Sequence, residues 1–168
     1  LFTVREDFSL GSSSNAWGPV NVNADWNVLV ANGKTLNVYG ALNSSGRTIT
    51  VGGEGFSGTL VLNNAANASM TAEWVITSGS TVRCMNNSAL GSGLVTLDGG
   101  TLDFNSQTIG STITLNMSGT GTLQNVTVDG AILSYTSSSG NAGITASNTT
   151  WTSGKIDIGR LLQGFSAA

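Results

Sequence analysis

Residues 79–104 read GSTVRCMNNSALGSGLVTLDGGTLDF, and one short word occurs in them three times. The copies are Gly79-Ser-Thr-Val-Arg-Cys84, Gly93-Leu-Val-Thr-Leu97 and Gly100-Thr-Leu-Asp-Phe104. In each, a glycine precedes two apolar residues that are separated by one other residue. Alternation with a period of two marks a short strand with one buried face. The leading glycine suits the turn or bend at which such a strand begins. Between the first two copies lies a polar turn, Asn86 to Gly93, that carries one apolar pair, Ala89-Leu90.

The same word runs through most of the chain. Gly33-Lys-Thr-Leu-Asn-Val38, Gly46-Arg-Thr-Ile-Thr-Val51 and Gly110-Ser-Thr-Ile-Thr-Leu115 repeat the form seen at Gly79. Gly58-Thr-Leu-Val-Leu62, Gly100-Thr-Leu-Asp-Phe104 and Gly121-Thr-Leu123 are a shortened form, and Gly93, Gly130, Gly143 and Gly154 lead looser copies. The leading glycines recur at intervals of about 12 residues, a spacing that fits a sandwich, a barrel or a solenoid. Near-identical words in series favour the solenoid, because each coil then solves the same packing problem. Two such strands per coil predict coils of roughly 24 residues, hence about six or seven of them. At the usual strand spacing the rod would be roughly 30–35 Å long.

The stretch from Gly55 to Phe104 resembles the passenger repeat of bacterial autotransporters and related surface adhesins. The residues that carry the resemblance are Gly58-Thr-Leu-Val-Leu62, Ala89-Leu90-Gly91-Ser92-Gly93 and Gly99-Gly100-Thr101-Leu102-Asp103-Phe104. It covers about 50 of the 168 residues. The resemblance implies a right-handed parallel β-helix on a cell surface. The outer-membrane barrel of that family is not in this sequence.

Composition bounds the rest. Only 9% of the 168 residues are charged, against roughly 25% in an ordinary globular domain. Asn, Ser, Thr and Gly fill the polar positions, so little like-charge repulsion keeps copies apart. The abundance of Val, Ile and Thr argues for ordered β structure rather than disorder. Net charge is -3 and the six basic residues are scattered, unlike the basic stripe that nucleic acid requires. No apolar run approaches the roughly 18 residues of a membrane span. A chain that begins at Leu1 reads as a processed or excised piece, and the Asn/Ser/Thr/Gly surface points to an extracellular setting.

One β-solenoid domain is therefore expected over residues 1–168. Residues 1–16 carry three charges in a row, Arg5-Glu6-Asp7, and read as an N-terminal cap. Residues 17–158 supply the coils. Residues 159–168, with Leu161-Leu162 and Phe165, read as a C-terminal cap. No long helix is expected.

Histidine is absent, which removes the commonest general base and metal ligand and makes a Ser-His-Asp or Cys-His site impossible. The best carboxylate pair is Asp98 with Asp103, on consecutive strands, in reach of acid–base work or of a calcium ion. The alternative is a turn Asp and an outward strand Asp of no chemical consequence. Asp98-Gly-Gly also resembles the start of a calcium-binding glycine-rich repeat, though the rest of that nonapeptide is missing. Neither Gly52-Gly-Glu-Gly55 nor Gly119-Thr-Gly121 is a phosphate loop, since no Lys-Ser/Thr follows. No cofactor is implied.

Cys84, the single cysteine, takes an inward strand position, where a thiol behaves as a small hydrophobe; the alternative is a disulfide to another chain. Asn-x-Ser/Thr sequons begin at Asn43, Asn67, Asn86, Asn116, Asn125 and Asn148, about as many as the composition yields by chance. Trp17, Trp26, Trp74 and Trp151 could stack on sugars, but Trp26 and Trp74 sit in strand-like runs and read as core or coil-stacking residues.

Three functions remain open. The first is a non-enzymatic extracellular protein that assembles with itself into a fibre, sheath or surface layer. The second is an adhesin passenger that binds surface glycans. The third is a β-helix polysaccharide lyase or hydrolase, which only the fold suggests.

Overall fold

A computed structural model describes residues 1–15, 18–64, 66–77, 79–135 and 143–156. The strands in chain order are β1 (Phe2–Val4), β2 (Phe8–Leu10), β3 (Val20–Val22), β4 (Trp26–Val30), β5 (Thr35–Val38), β6 (Leu42–Val51) and β7 (Thr59–Leu62). They continue as β8 (Thr71–Thr77), β9 (Thr81–Cys84), β10 (Gly93–Asp98), β11 (Thr101–Ile109), β12 (Ile113–Met117), β13 (Thr120–Tyr135) and β14 (Gly143–Ile156). A single 3-10 turn, Ala66–Ser69, is the only helical element among the described residues, and none of their helices is long and apolar enough to cross a membrane. Among the described residues the pairings between these strands are all parallel. The chain is a β-solenoid of about six turns.

One register position shows how the coils stack. Trp26, Ile49, Trp74, Val95, Leu115 and Leu133 lie directly over one another, at steps of 23, 25, 21, 20 and 18 residues. This ladder belongs to the first side of the coil, formed by β1, β4, the end of β6, β8, β10, β12 and the end of β13. The second side stacks β2, β5, β7, β9 and the beginnings of β11, β13 and β14. Leu36, Leu60, Val82, Leu102 and Leu123 form its inner ladder.

The coil also has a third side, where two strands per coil were expected. At the N-terminal end β3 pairs with Leu42–Ser44 of β6. Further along, Gln107–Ile109 pair with Val126–Val128, and these with Thr149–Trp151. Two features hid this side. Its segments are about three residues long, and most are parts of longer strands that bend round a corner. Its corner is also made differently: Asn105, Ser106, Asn125 and Asn148 have φ between 47° and 67°, and asparagine tolerates that left-handed region better than most residues.

The eleven leading glycines are divided between the other two corners. Gly33, Gly58, Gly79, Gly100, Gly121 and Gly143 precede second-side strand segments, and Gly46, Gly93, Gly110, Gly130 and Gly154 precede first-side ones. Gly100 shows the requirement. A Cβ there would lie 2.4 Å from Ile76 Cγ2 and 2.6 Å from the Ile76 carbonyl oxygen, because one coil's corner rests on the backbone beneath it.

The alternating apolar residues of these glycine-led words are buried: Leu36, Val38, Ile49, Val51, Leu60, Leu62, Val82, Val95, Leu97, Leu102, Phe104, Ile113 and Leu115. Trp74 is fully buried and its Nε1–H donates to the Leu90 carbonyl at 3.1 Å. That contact explains the apolar pair in an otherwise polar turn, since Ala89 and Leu90 are themselves core residues. Trp26 is half-buried against Phe2, with ring centroids 6.0 Å apart. Thr96, between the inward Val95 and Leu97, is also buried, and its hydroxyl accepts from Asn116 Nδ2 at 3.3 Å on the next coil. The proposed C-terminal cap, residues 159–168, and Trp17 lie outside the described residues.

Candidate functional site

Asp98 and Asp103 stand on different sides of the coil, separated by the Gly99-Gly100 corner. Asp98 is exposed at the end of β10, over Gly119 of the next coil. Asp103 is only 2% exposed. Its Oδ2 accepts from Arg83 Nε at 2.9 Å, and its Oδ1 accepts from the Asn105 amide and from Asn125 Nδ2, each at 2.9 Å. Burial alone would raise this carboxyl's pKa; hydrogen bonds from Asn125, Asn105, Arg83 and Gln124 outweigh it and hold the group below the ordinary carboxylate value. Asp103 thus fastens three successive coils and the asparagine corner together. Among the described residues no three His, Cys, Asp or Glu side chains gather into a metal-binding group.

Cys84 is fully buried in register with Leu62. Desolvation, with a smaller contribution from the charge of Asp103, pushes its thiol well above the usual range. A disulfide to another chain would require this coil to open. The sequons sort by burial. Asn67 and Asn116 are buried, Asn86 and Asn125 are half-buried, and Asn43 and Asn148 are exposed. Asn67 is a structural bridge: its Oδ1 accepts from the Leu42 amide and its Nδ2 donates to the Ala89 carbonyl, each at 2.8 Å.

The described surface has two features of interest. A polar cleft of about 390 Å³ opens on the third side near the N-terminal end. Asn21 and Asn43 sit at one register position on consecutive coils and share a hydrogen bond, Asn43 Nδ2 donating to Asn21 Oδ1 at 3.1 Å. Arg47, Ser45 and Ser69 complete the wall, and Val22 and Met70 form the base. No carboxylate lines the cleft; Asp25, nearby, accepts from the Thr48 amide at 3.1 Å. Sequence reading missed this cleft. Its signal was the pair of words Val20-Asn-Val22 and Leu42-Asn-Ser44, one coil length apart.

The second feature is the end of the rod at the first coil. Within residues 1–16, read as a cap, Phe2–Val4 and Phe8–Leu10 are strands in parallel register with the second coil. The three charges between them point along the stack rather than across its end. Glu6 pairs with Lys34 at 2.8 Å, Asp7 Oδ1 accepts from the Thr35 amide at 2.8 Å, and the Arg5 guanidinium lies 6.0 Å from the Phe56 ring centroid. Phe2, Val4 and Phe8 line a groove of about 300 Å³ there, and Phe8 is 45% exposed.

The fold defines the class: a parallel β-solenoid with three-sided coils. No family model, curated protein or solved structure matches the chain.

Proposed function

We propose that this protein is a non-enzymatic structural component of the cell exterior that assembles with copies of itself through the strand edges at its coil ends. One observation carries the reading. Among the described residues β1 and β2 each pair on one side only, with β4 and β5, and beside them Glu6 and Asp7 bond to Lys34 and Thr35 of the next coil. A row of unpaired backbone N–H and C=O groups is a template for another strand, and soluble proteins usually block it with charge, proline or a covering element. The groove there, lined by Phe2, Val4 and Phe8 together with Thr3, Arg5, Glu6 and Asp7, adds apolar surface that gains from being covered. Low overall charge supports the same reading, since copies repel each other weakly. The extracellular setting rests on composition and on the resemblance to surface-adhesin repeats.

The test is size against dilution and denaturant. Thr3 and Ser9 are exposed on the edge strands, so Thr3→Lys with Ser9→Lys places charge there without touching the core. The wild-type chain is expected to associate as concentration rises and to resist dissociation by denaturant, and the double variant to remain monomeric. A wild-type chain that stays monomeric by light scattering at millimolar concentration overturns the proposal.

An adhesin that binds glycans is the second reading, and the cleft around Arg47 is the observation that favours it. Catalysis forms no part of either. Asp98→Asn is expected to leave every activity of the chain unchanged, and a polysaccharide-cleaving activity that it abolished would overturn the non-enzyme reading.

A further inference from the structure

We propose that the third-side cleft around Arg47 is a binding site for an acidic saccharide, with the guanidinium holding the sugar's carboxylate and the asparagine pair its hydroxyls. The inference is independent of self-assembly, which uses a different face.

Above the Val22 and Met70 base, the lining is uncharged hydrogen-bonding groups and one cation, Arg47. Arg47 is exposed and has neither an ion pair nor a hydrogen bond among the described residues. A free guanidinium beside amides and hydroxyls suits a single carboxylate, which it can hold through two parallel bonds. The Asn43-to-Asn21 bond uses the donor of one amide and the acceptor of the other. It leaves the Asn21 NH₂ and the Asn43 carbonyl oxygen for a ligand, a donor and an acceptor one coil apart, the combination that sugar hydroxyls satisfy.

Other ligands fit less well. No aromatic ring lines the cleft to stack on a base, and one cation cannot neutralise a polyphosphate backbone. The volume of about 390 Å³ lies within the range of small-molecule sites.

The experiment is an amide chemical-shift titration of the intact chain with cellobiuronic acid, its neutral counterpart cellobiose, and sodium acetate. The expected result is saturable shifts at Asn21, Asn43, Arg47 and Ser69 with the acidic disaccharide, at an affinity at least about fivefold above that for cellobiose or acetate. Arg47→Gln, at an exposed position, should retain the fold and weaken the acidic disaccharide roughly tenfold, to the level of cellobiose. Thr3→Lys with Ser9→Lys should leave this binding unchanged even where it abolishes association. Equal affinity for acid and neutral sugar, equal affinity for acetate alone, shifts centred elsewhere, or no binding would each overturn the proposal.

Discussion

The second and third sides of the coil stack at the same spacing with different materials. On the second side Leu36, Leu60, Val82 and Leu102 form an aliphatic ladder in which every residue is fully buried. Its corners are set by glycine, where a Cβ at Gly58 would fall 2.4 Å from the Ala31 carbonyl oxygen. The third side holds buried Asn67 and Ser44, an open cleft, and corners built from asparagines of positive φ. On the dry side, area removed from water does the stabilising. On the polar side, side-chain amides must find partners coil by coil. The difference means that like substitutions on the two sides should fail for different reasons.

The largest effect should come from breaking the dry ladder. Leu102→Asp would place an unpaired charge between Val82 and Leu123, at a cost of more than about 4 kcal/mol. Urea denaturation should find the variant largely unfolded. A loss below about 1 kcal/mol would mean that Leu102 faces solvent and the register is off by one.

That register was legible in the sequence because alternation fixes which residues point inward, and glycine words fix where strands begin. Coil length was readable only as an average. Arg83 and Asp103 bond across 20 residues, so a ladder between coils needs each coil's own length, which varies from 18 to 28 residues among the described pairings. The third side escaped because three-residue strands such as Val20–Val22 carry too little alternation to register. Its asparagines at 105, 125 and 148 resembled ordinary polar filler in a chain rich in Asn. The cleft went unseen for the same reason, since Asn21, Asn43 and Arg47 become neighbours only once coil length is known. The charge in residues 1–16, read as the mark of a cap, bonds along the stack: Glu6 pairs with Lys34 and Asp7 accepts from the Thr35 amide.

A smaller, sharper effect should appear on the polar side. Asn67→Ala removes no charge and little apolar area, but it orphans the Leu42 amide and the Ala89 carbonyl on neighbouring coils. The expected loss is about 2 kcal/mol, read as a shift in denaturation midpoint with an unchanged slope. Asn67→Asp, which keeps the acceptor and loses the donor, should also destabilise. A neutral Asn67→Ala would show that the third side stacks on shape alone.

The smallest effect tests where the two sides meet, at Asp103. Its carboxyl pKa in the folded chain lies below the ordinary value of about 3.9 for an unfolded Asp. A lowered folded value means that the charged form is favoured by folding. The resulting stability is fully present above pH ~4 and is lost as pH falls through the folded value. Arg83 is 44% exposed on its side chain, so solvent screens its part of the interaction and the total should be modest, about 1 kcal/mol. Asp103→Asn should therefore be less stable than wild type at pH 7, and the gap should narrow as pH is lowered from about 5 towards 2. Denaturant midpoints measured across that range give the comparison directly. A gap that stays constant down to pH 2 would mean that the side chain contributes through shape and neutral hydrogen bonds, leaving the asparagine corner at Asn105 and Asn125 to hold itself in place.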